Sequence, residues 1–346
     1  MAQMVTDLIE PQELIDYVRQ WDIEVLRPEA QLTLDRWLPN RLTEDLEFRI
    51  RRGALNDVDA AEYRAWDVPA PMTGRPGVSR VEGSLGPVSR QIPLGEEEFL
   101  RSRALDRGTN DPIIEAIYDD AERMIRAVQV RIELARGDVI NDGKVTIAEN
   151  GLLLEADFGR DPAMVKAAAV VWTDANALIL AELLAWQEAY IEHNGTEPGL
   201  LLMPKARVGN FALNAEMRSY AAANATTPNR INRQVIDSIF SAEGLPPIET
   251  YDTQVRVNGT RVRVLPANKV FFMPSANEPL GHTFYGVTAE ALLLRERGLI
   301  TREAAPGIVA TVNRNEHPVQ TFTVGTAIAL PAIPNPDLIL EATVAV

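Results

Sequence analysis

The chain has 346 residues, with Lys+Arg 34 against Asp+Glu 49, a net charge of -15, 46% hydrophobic residues and no cysteine. Those figures describe a soluble globular protein of about two domains and exclude disulfides, thiolate nucleophiles and thiolate metal sites. An acidic surface repels phosphate backbones, so any nucleic-acid contact must be local or loose.

The opening MAQMVTDLIEPQELIDYVRQW places acids where a secretory signal would place a basic region. Export is therefore not expected. The most apolar windows, 163–172 and 177–186, are interrupted by Lys166 and Glu182 and are too short to span a bilayer, so no membrane contact is expected either. N-x-T sequons stand at Asn194, Asn224 and Asn258, but Asn194 and Asn258 precede glycine and read better as turns.

Residues 1 to 45 read as an extended arm with one short helix. Pro11 sits at a first-turn position ahead of Leu14, Ile15 and Val18, a stripe suited to lying on another surface. From residue 65 to 95 proline and glycine recur so often that little regular core is expected, and long loops of this kind are usually functional. Two alternating pieces inside it, 78–81 and 88–92, predict a two-stranded projecting hairpin.

A long helix follows, with Asp111 and Pro112 as its start and Gly137 as its stop. Ile114, Ile117, Ala121, Met124, Val128, Ile132 and Ala135 recur at threes and fours along it, which predicts a strut of roughly 35 to 40 Å. Asn150-Gly151 and Asn258-Gly259 each join two alternating runs and predict tight hairpins. Helices are predicted over 175–193 and 232–242, and the end, 320–346, is strand-like with one proline break. Strands and helices mix without βαβ alternation or repeats, so the class is α+β.

The search for chemistry is mostly empty. There is no phosphate-binding loop, since the glycines between Gly74 and Gly86 lack a following helix and a Lys-Ser/Thr pair. His193, His282 and His317 lie far apart without metal-ligand spacing, and no nucleophile elbow is present. Adjacent acids such as Glu96-Glu97-Glu98 and Asp119-Asp120 diverge on a helix and read as solvated faces. No catalytic, cofactor or metal residues are assigned.

Only Lys144, Lys166, Lys205 and Lys269 are lysines; the other basic residues are arginines, which pair bidentately with carboxylates and favour interfaces. Arg75, Arg80 and Arg90 fall on the projecting loop, and Asp119 and Asp120 on the strut. This arrangement suggests an oligomer in which the loop of one copy reaches the acidic strut of the next.

Several stretches carry a family resemblance in order: RVEGSLGPVSRQIPLGEEEF from Arg80, DAERMIRAVQVRIELARGDVINDGKVTIAENGLLLEADFGR from Asp120, LLAWQEAYIEHNGTEPGLLLMPKARVGNFALNAEMRS from Leu183, GLPPIETYDTQVRVNGTRVRVLPANKVFFMP from Gly244, and HPVQTFTVGTAIALPAIPNPDLILEATV from His317. They resemble the lambda-type major capsid proteins of tailed bacteriophages, the capsid protein E family. The resemblance implies the Hong Kong 97 type fold, with an N-terminal arm (1–45), an extended loop (46–97), a peripheral domain (98–165 and 306–346) around a spine helix, and an axial domain (166–305). It further implies a structural protein without enzymatic activity or cofactor, forming hexamers and pentamers of an icosahedral shell in the virion after assembly in the host cytoplasm. The implied partners are other copies of the chain, a scaffolding protein, a portal protein, a decoration protein and loosely held double-stranded DNA. An encapsulin-like protein compartment and an acidic cytosolic enzyme are the alternatives.

Overall fold

The computed structural model describes residues 3–4, 9–25, 32–52, 63, 66, 79–97, 100, 111–222, 228–275 and 277–345. Its organising element is the helix Asp111–Asp142. At 1.5 Å per residue its 32 residues extend about 48 Å. The inward stripe is Ile113, Ile117, Ala121, Met124, Ile125, Val128, Ile132, Ala135, Val139 and Ile140, all buried.

This helix runs past Gly137, where a stop was expected. A Cβ at Gly137 would lie 2.5 Å from the Val264 carbonyl oxygen and 2.7 Å from Val264 Cγ1. The glycine thus serves close approach between helix and neighbouring backbone. The stop falls at Gly143, which takes a positive φ of 67°. Arg160 closes this end, donating to the carbonyls of Asn141 at 2.6 Å and Ile140 at 2.7 Å, where a cation also opposes the helix dipole.

Against the helix lies a sheet built on the strand Val319–Ala332. Strand Gly86–Leu94 pairs along one of its edges, while Val309–Glu316 and His282–Tyr285 share the other. Asn40–Leu42 adds in parallel beyond His282–Tyr285, and Gln3–Met4 beyond Val309–Glu316. Gly325 faces the helix, and a Cβ there would sit 2.7 Å from Met124 Cβ.

The hairpin expected from 78–81 and 88–92 does not form. Ser79–Ser84 pairs with Glu47–Arg52, whereas Gly86–Leu94 joins the large sheet. Only Leu85 separates these strands, too little chain for a reversal of direction, and its buried side chain anchors the passage between sheets.

A second sheet has the order Ile248–Thr250, Leu200–Met203, Lys269–Met273, Leu340–Thr343, Val165–Ala167. Its central strands are buried on both faces, which explains their unbroken apolar runs. Leu201, Met203, Val270, Phe272, Leu340 and Ala342 face a core containing Leu183, Trp186 and Tyr190 of helix Ile179–Asn194 and Ile236, Ile239 and Phe240 of helix Arg233–Ala242. Leu200, Leu202, Phe271 and Met273 face the opposite core, shared with Val139, Ile140, Trp37, Tyr251 and Val264.

The expected domain ranges are crossed by strand pairing. His282–Tyr285 falls in the range given to the axial domain yet bonds into the large sheet, and Leu340–Thr343 falls in the peripheral range yet sits inside the second sheet. The stripe Leu14, Ile15 and Val18 of helix Pro11–Val25 finds its surface on the same chain: Leu14 and Val18 join the core of Ile117 and Ala121, and Ile15 that of Ala291 and Leu294. Both Asn-Gly hairpins form as expected, with Asn150 and Gly151 at φ 49° and 83° and Asn258 and Gly259 at 48° and 84°. The helix expected from 175 begins at Ile179, where the Glu216 carboxylate accepts from the backbone of Leu180 at 2.7 Å and Ala181 at 3.3 Å.

Gly137→Ala tests the close approach at Val264. Helix propensity alone favours alanine by up to about 1 kcal/mol, whereas overpacking against fixed backbone costs about 1 to 3 kcal/mol. Urea unfolding should show net destabilisation, and a stabilised variant would contradict the contact.

Candidate assembly surfaces

The support for any outer surface is a buried polar network on the long helix. Glu133 and Arg136 are one turn apart, at 0% and 4% side-chain exposure, with a 3.1 Å ion pair between them. Glu133 also accepts from the Leu34 backbone and the Tyr251 hydroxyl, each at 2.9 Å. Arg136 donates to Thr283 Oγ1 at 3.0 Å and to Asn40 Oδ1 at 2.6 Å. Thr283 in turn donates to the Leu38 carbonyl at 2.8 Å. One helical turn thereby fixes the 34–40 segment, a strand of the large sheet and the segment leading from the second sheet. Burial and the Glu133 carboxylate raise the Tyr251 phenol far above its ordinary range, so it stays a donor.

A second network closes the helix end. Glu341 accepts from Arg160 at 3.2 Å and Lys269 at 3.1 Å, and Lys269 reaches Asp142 at 3.4 Å. Burial lowers the Arg160 pKa, against the pull of Glu341. Between the networks, burial pushes the Asp138 carboxyl up to about 6, opposed by Arg131.

The residues singled out in the sequence are only partly brought into view. Arg90 lies on Gly86–Leu94, opposite Gly325, with an exposed side chain. That strand has one partner strand among the described residues, and no described residue pairs with its outer edge. Asp119 is exposed on the long helix. Asp120 is more covered, at 13% side-chain exposure, and accepts from Arg123 at 3.2 Å. Arg75 lies outside the described residues, and of Arg80 only the backbone is described, in strand Ser79–Ser84. No hydrogen bond or ion pair joins Arg90 to Asp119 within the chain.

Sequence reasoning missed Glu133 and Arg136. Their signal was a matched charge pair at i and i+3 inside the apolar stripe, where solvated charges do not belong.

A hollow lined by Met4, Ile9, Leu14 and Val312 holds about 10 Å³, room for a single water. His193 lies 3.8 Å from Asp337, while burial, followed by Arg41, lowers the pKa of His282. Among the described residues no three His, Asp or Glu side chains gather as a metal site, and no helix is long and apolar enough to cross a membrane.

The sequence profile of the family described as phage major capsid protein E matches residues 39–344. The chain belongs to this family. Among solved structures it is similar to a protein described as the capsid protein of a prophage of E. coli CFT073, with a TM-score of 0.63 and 14% identity over 100% of both chains. It is also similar to a phage-related protein of Bordetella bronchiseptica RB50, with a TM-score of 0.58 and 13% identity over 96% of both chains. At such identities the likeness is one of fold, and the fold is the tailed-phage capsid fold. No match was found among curated proteins. Family and fold together make this member of the capsid protein E family a structural shell protein, pointing away from enzymatic work.

Two measurements test the networks within this capsid subunit. Arg136→Met leaves Glu133 buried without its cation and should cost about 3 to 5 kcal/mol in urea unfolding. The double variant Glu133→Leu/Arg136→Met should cost less than the sum of the single changes. For Asp138 the folded pKa, about 6, lies above its ordinary 3.8. Its contribution to stability is therefore full below about pH 4 and lost as pH rises through 6. Asp138→Asn should remove that slope and stabilise the subunit at pH 7 by about 1 kcal/mol, discounting for solvent screening.

Proposed function

We propose that this protein is the major head subunit of a tailed phage, forming hexamers and pentamers that close into an icosahedral shell around double-stranded DNA. The observation that carries this reading is the family profile running over residues 39–344, nearly the whole chain. In it the long helix and large sheet act as the peripheral domain (98–165 and 306–346), and the second sheet with its helices acts as the axial domain (166–305). Residues 1–45 serve as the arm and 46–97 as the extended loop. The crossing strands His282–Tyr285 and Leu340–Thr343 make the two bodies share backbone pairing.

Physical chemistry supports the assignment. A shell needs heterologous contacts repeated at several angles from one sequence, and weak contacts accumulate through multivalency. The edge of Gly86–Leu94 that no described residue pairs with, and its exposed Arg90, suit contact with a neighbouring copy. Arg75, Arg80 and Arg90 of one copy would reach Asp119 of the next, with Asp120 already engaged by Arg123. A net charge of -15 works against tight binding of phosphate, which suits a container whose DNA must enter and leave. Scaffolding, portal and decoration proteins are the further partners in this reading, the host cytoplasm the place of assembly and the virion the destination.

The test is expression with and without scaffolding protein, followed by electron microscopy. Capsomers or closed shells are expected, with Arg90→Glu reducing their yield and Asp119→Arg in the same chain restoring it. Monomers under every condition would overturn the proposal, and shells filled with a protein cargo would replace it by the compartment reading.

A further inference from the structure

The hairpin formed by Gln254–Val257 and Thr260–Arg263 carries an electrostatic cost that the isolated chain does not relieve. Arg256 and Arg261 are cross-strand partners in its register. Like charges placed directly opposite destabilise a strand pair. Both are exposed; among the described residues Arg256 donates only to the Gly259 carbonyl at 3.2 Å, and Arg261 has no hydrogen-bond or ion-pair partner. Arg263, on the same face, is occupied by Asp252. The other face holds Val255, buried in the core beneath Val139 and Tyr251, so the hairpin cannot turn its arginines elsewhere. With Asp252, Gln254 and Gly259, Arg256 and Arg261 line an open groove.

Helix Ile179–Asn194 shows the opposite imbalance. Glu188 and Glu192 are exposed one turn apart, with exposed Glu197 just beyond the helix end, and none has a cation partner among the described residues. Like charges at i and i+4 are also unfavourable. The two anomalies cannot cancel within one molecule. The helix covers the sheet face formed by Leu201, Met203 and Phe272, while the hairpin belongs to the core under Leu202, Phe271 and Met273. Opposite faces of one sheet can meet only in a head-to-tail contact between copies, which generates rings or extended arrays.

We propose that the Arg256–Arg261 face of one subunit docks onto the Glu188–Glu192–Glu197 face of a second copy. Guanidinium groups pair bidentately with carboxylates, and the contact removes both like-charge penalties at once. Carboxylates suit this groove better than phosphates, because Asp252 lines it and the acidic chain repels an extended polyanion. The inference rests on the shell reading above and deepens it by naming one contact.

Charge exchange tests it. Arg256→Glu/Arg261→Glu and Glu188→Arg/Glu192→Arg should each lower the yield of capsomers and shells at least about tenfold, and the quadruple variant should recover to within about threefold of wild type. Thermal unfolding of the free subunits should not fall, and Arg261→Glu alone should raise it by pairing with Arg256. Because the chain has no cysteine, Arg261→Cys with Glu192→Cys should give disulfide-linked chains under oxidation only across this contact. Double variants that assemble like wild type, a quadruple variant without recovery, or assembled Cys variants that do not cross-link would overturn the contact while leaving the shell reading intact. Normal assembly of the hairpin variant with reduced DNA retention would assign the groove to phosphate and likewise overturn it. Absence of shells from the wild type would overturn both readings.

Discussion

The structure depends on one buried ion pair. Glu133 and Arg136 sit on the inward side of the long helix, where either charge alone would carry a desolvation penalty of several kcal/mol. Together, and with Leu34, Asn40, Tyr251 and Thr283 supplying the remaining hydrogen bonds, they are satisfied in a single geometry. Apolar contacts tolerate sliding, whereas this network does not. It sets the register among the helix, the large sheet and the second sheet, and every outer surface inherits its position from that register.

Close backbone approach complements the network. Gly137 admits Val264 and Gly325 admits Met124, so the helix is seated against each body at a distance that a Cβ would forbid. Arg160, Glu341 and Lys269 then tie the helix end to the C-terminal strand of the second sheet. A subunit built this way is rigid at its centre. Adaptability is left to its edges, where Gly86–Leu94 and the exposed hairpins lie.

Charge is used differently inside and outside. Inside, acids are held by buried cations, Glu133 by Arg136 and Glu341 by Arg160 and Lys269. Outside, the surplus of acids over bases is distributed unevenly, leaving an arginine pair on one face of the second sheet and a glutamate row beyond the other. Such separation is wasteful in a monomer, since each patch repels itself, and useful in a molecule that repeats head to tail. It lets contacts be individually weak and salt-sensitive while still selecting one orientation.

The amino-acid sequence by itself determined the local elements and the family. The threes-and-fours stripe from Ile117 to Ala135 specified the helix, the Asn-Gly pairs specified both hairpins, and the ordered stretches from Arg80 to the end carried the capsid resemblance, because these signals depend on neighbours along the chain. Tertiary structure decided what Gly137 is for, since a glycine that ends a helix and one that admits a distant carbonyl look alike in one dimension. It also decided that 79–84 and 86–94 enter different sheets, that Leu14 and Val18 lie on their own chain, and that Leu340–Thr343 completes the second sheet, all choices made by partners far away in sequence. Arg90 and Asp119 were legible as exposed charges, but the burial of Glu133 and Arg136 and the lack of a partner for Arg261 among the described residues were not. A charge in a sequence has no partner until the fold brings one to it or withholds it.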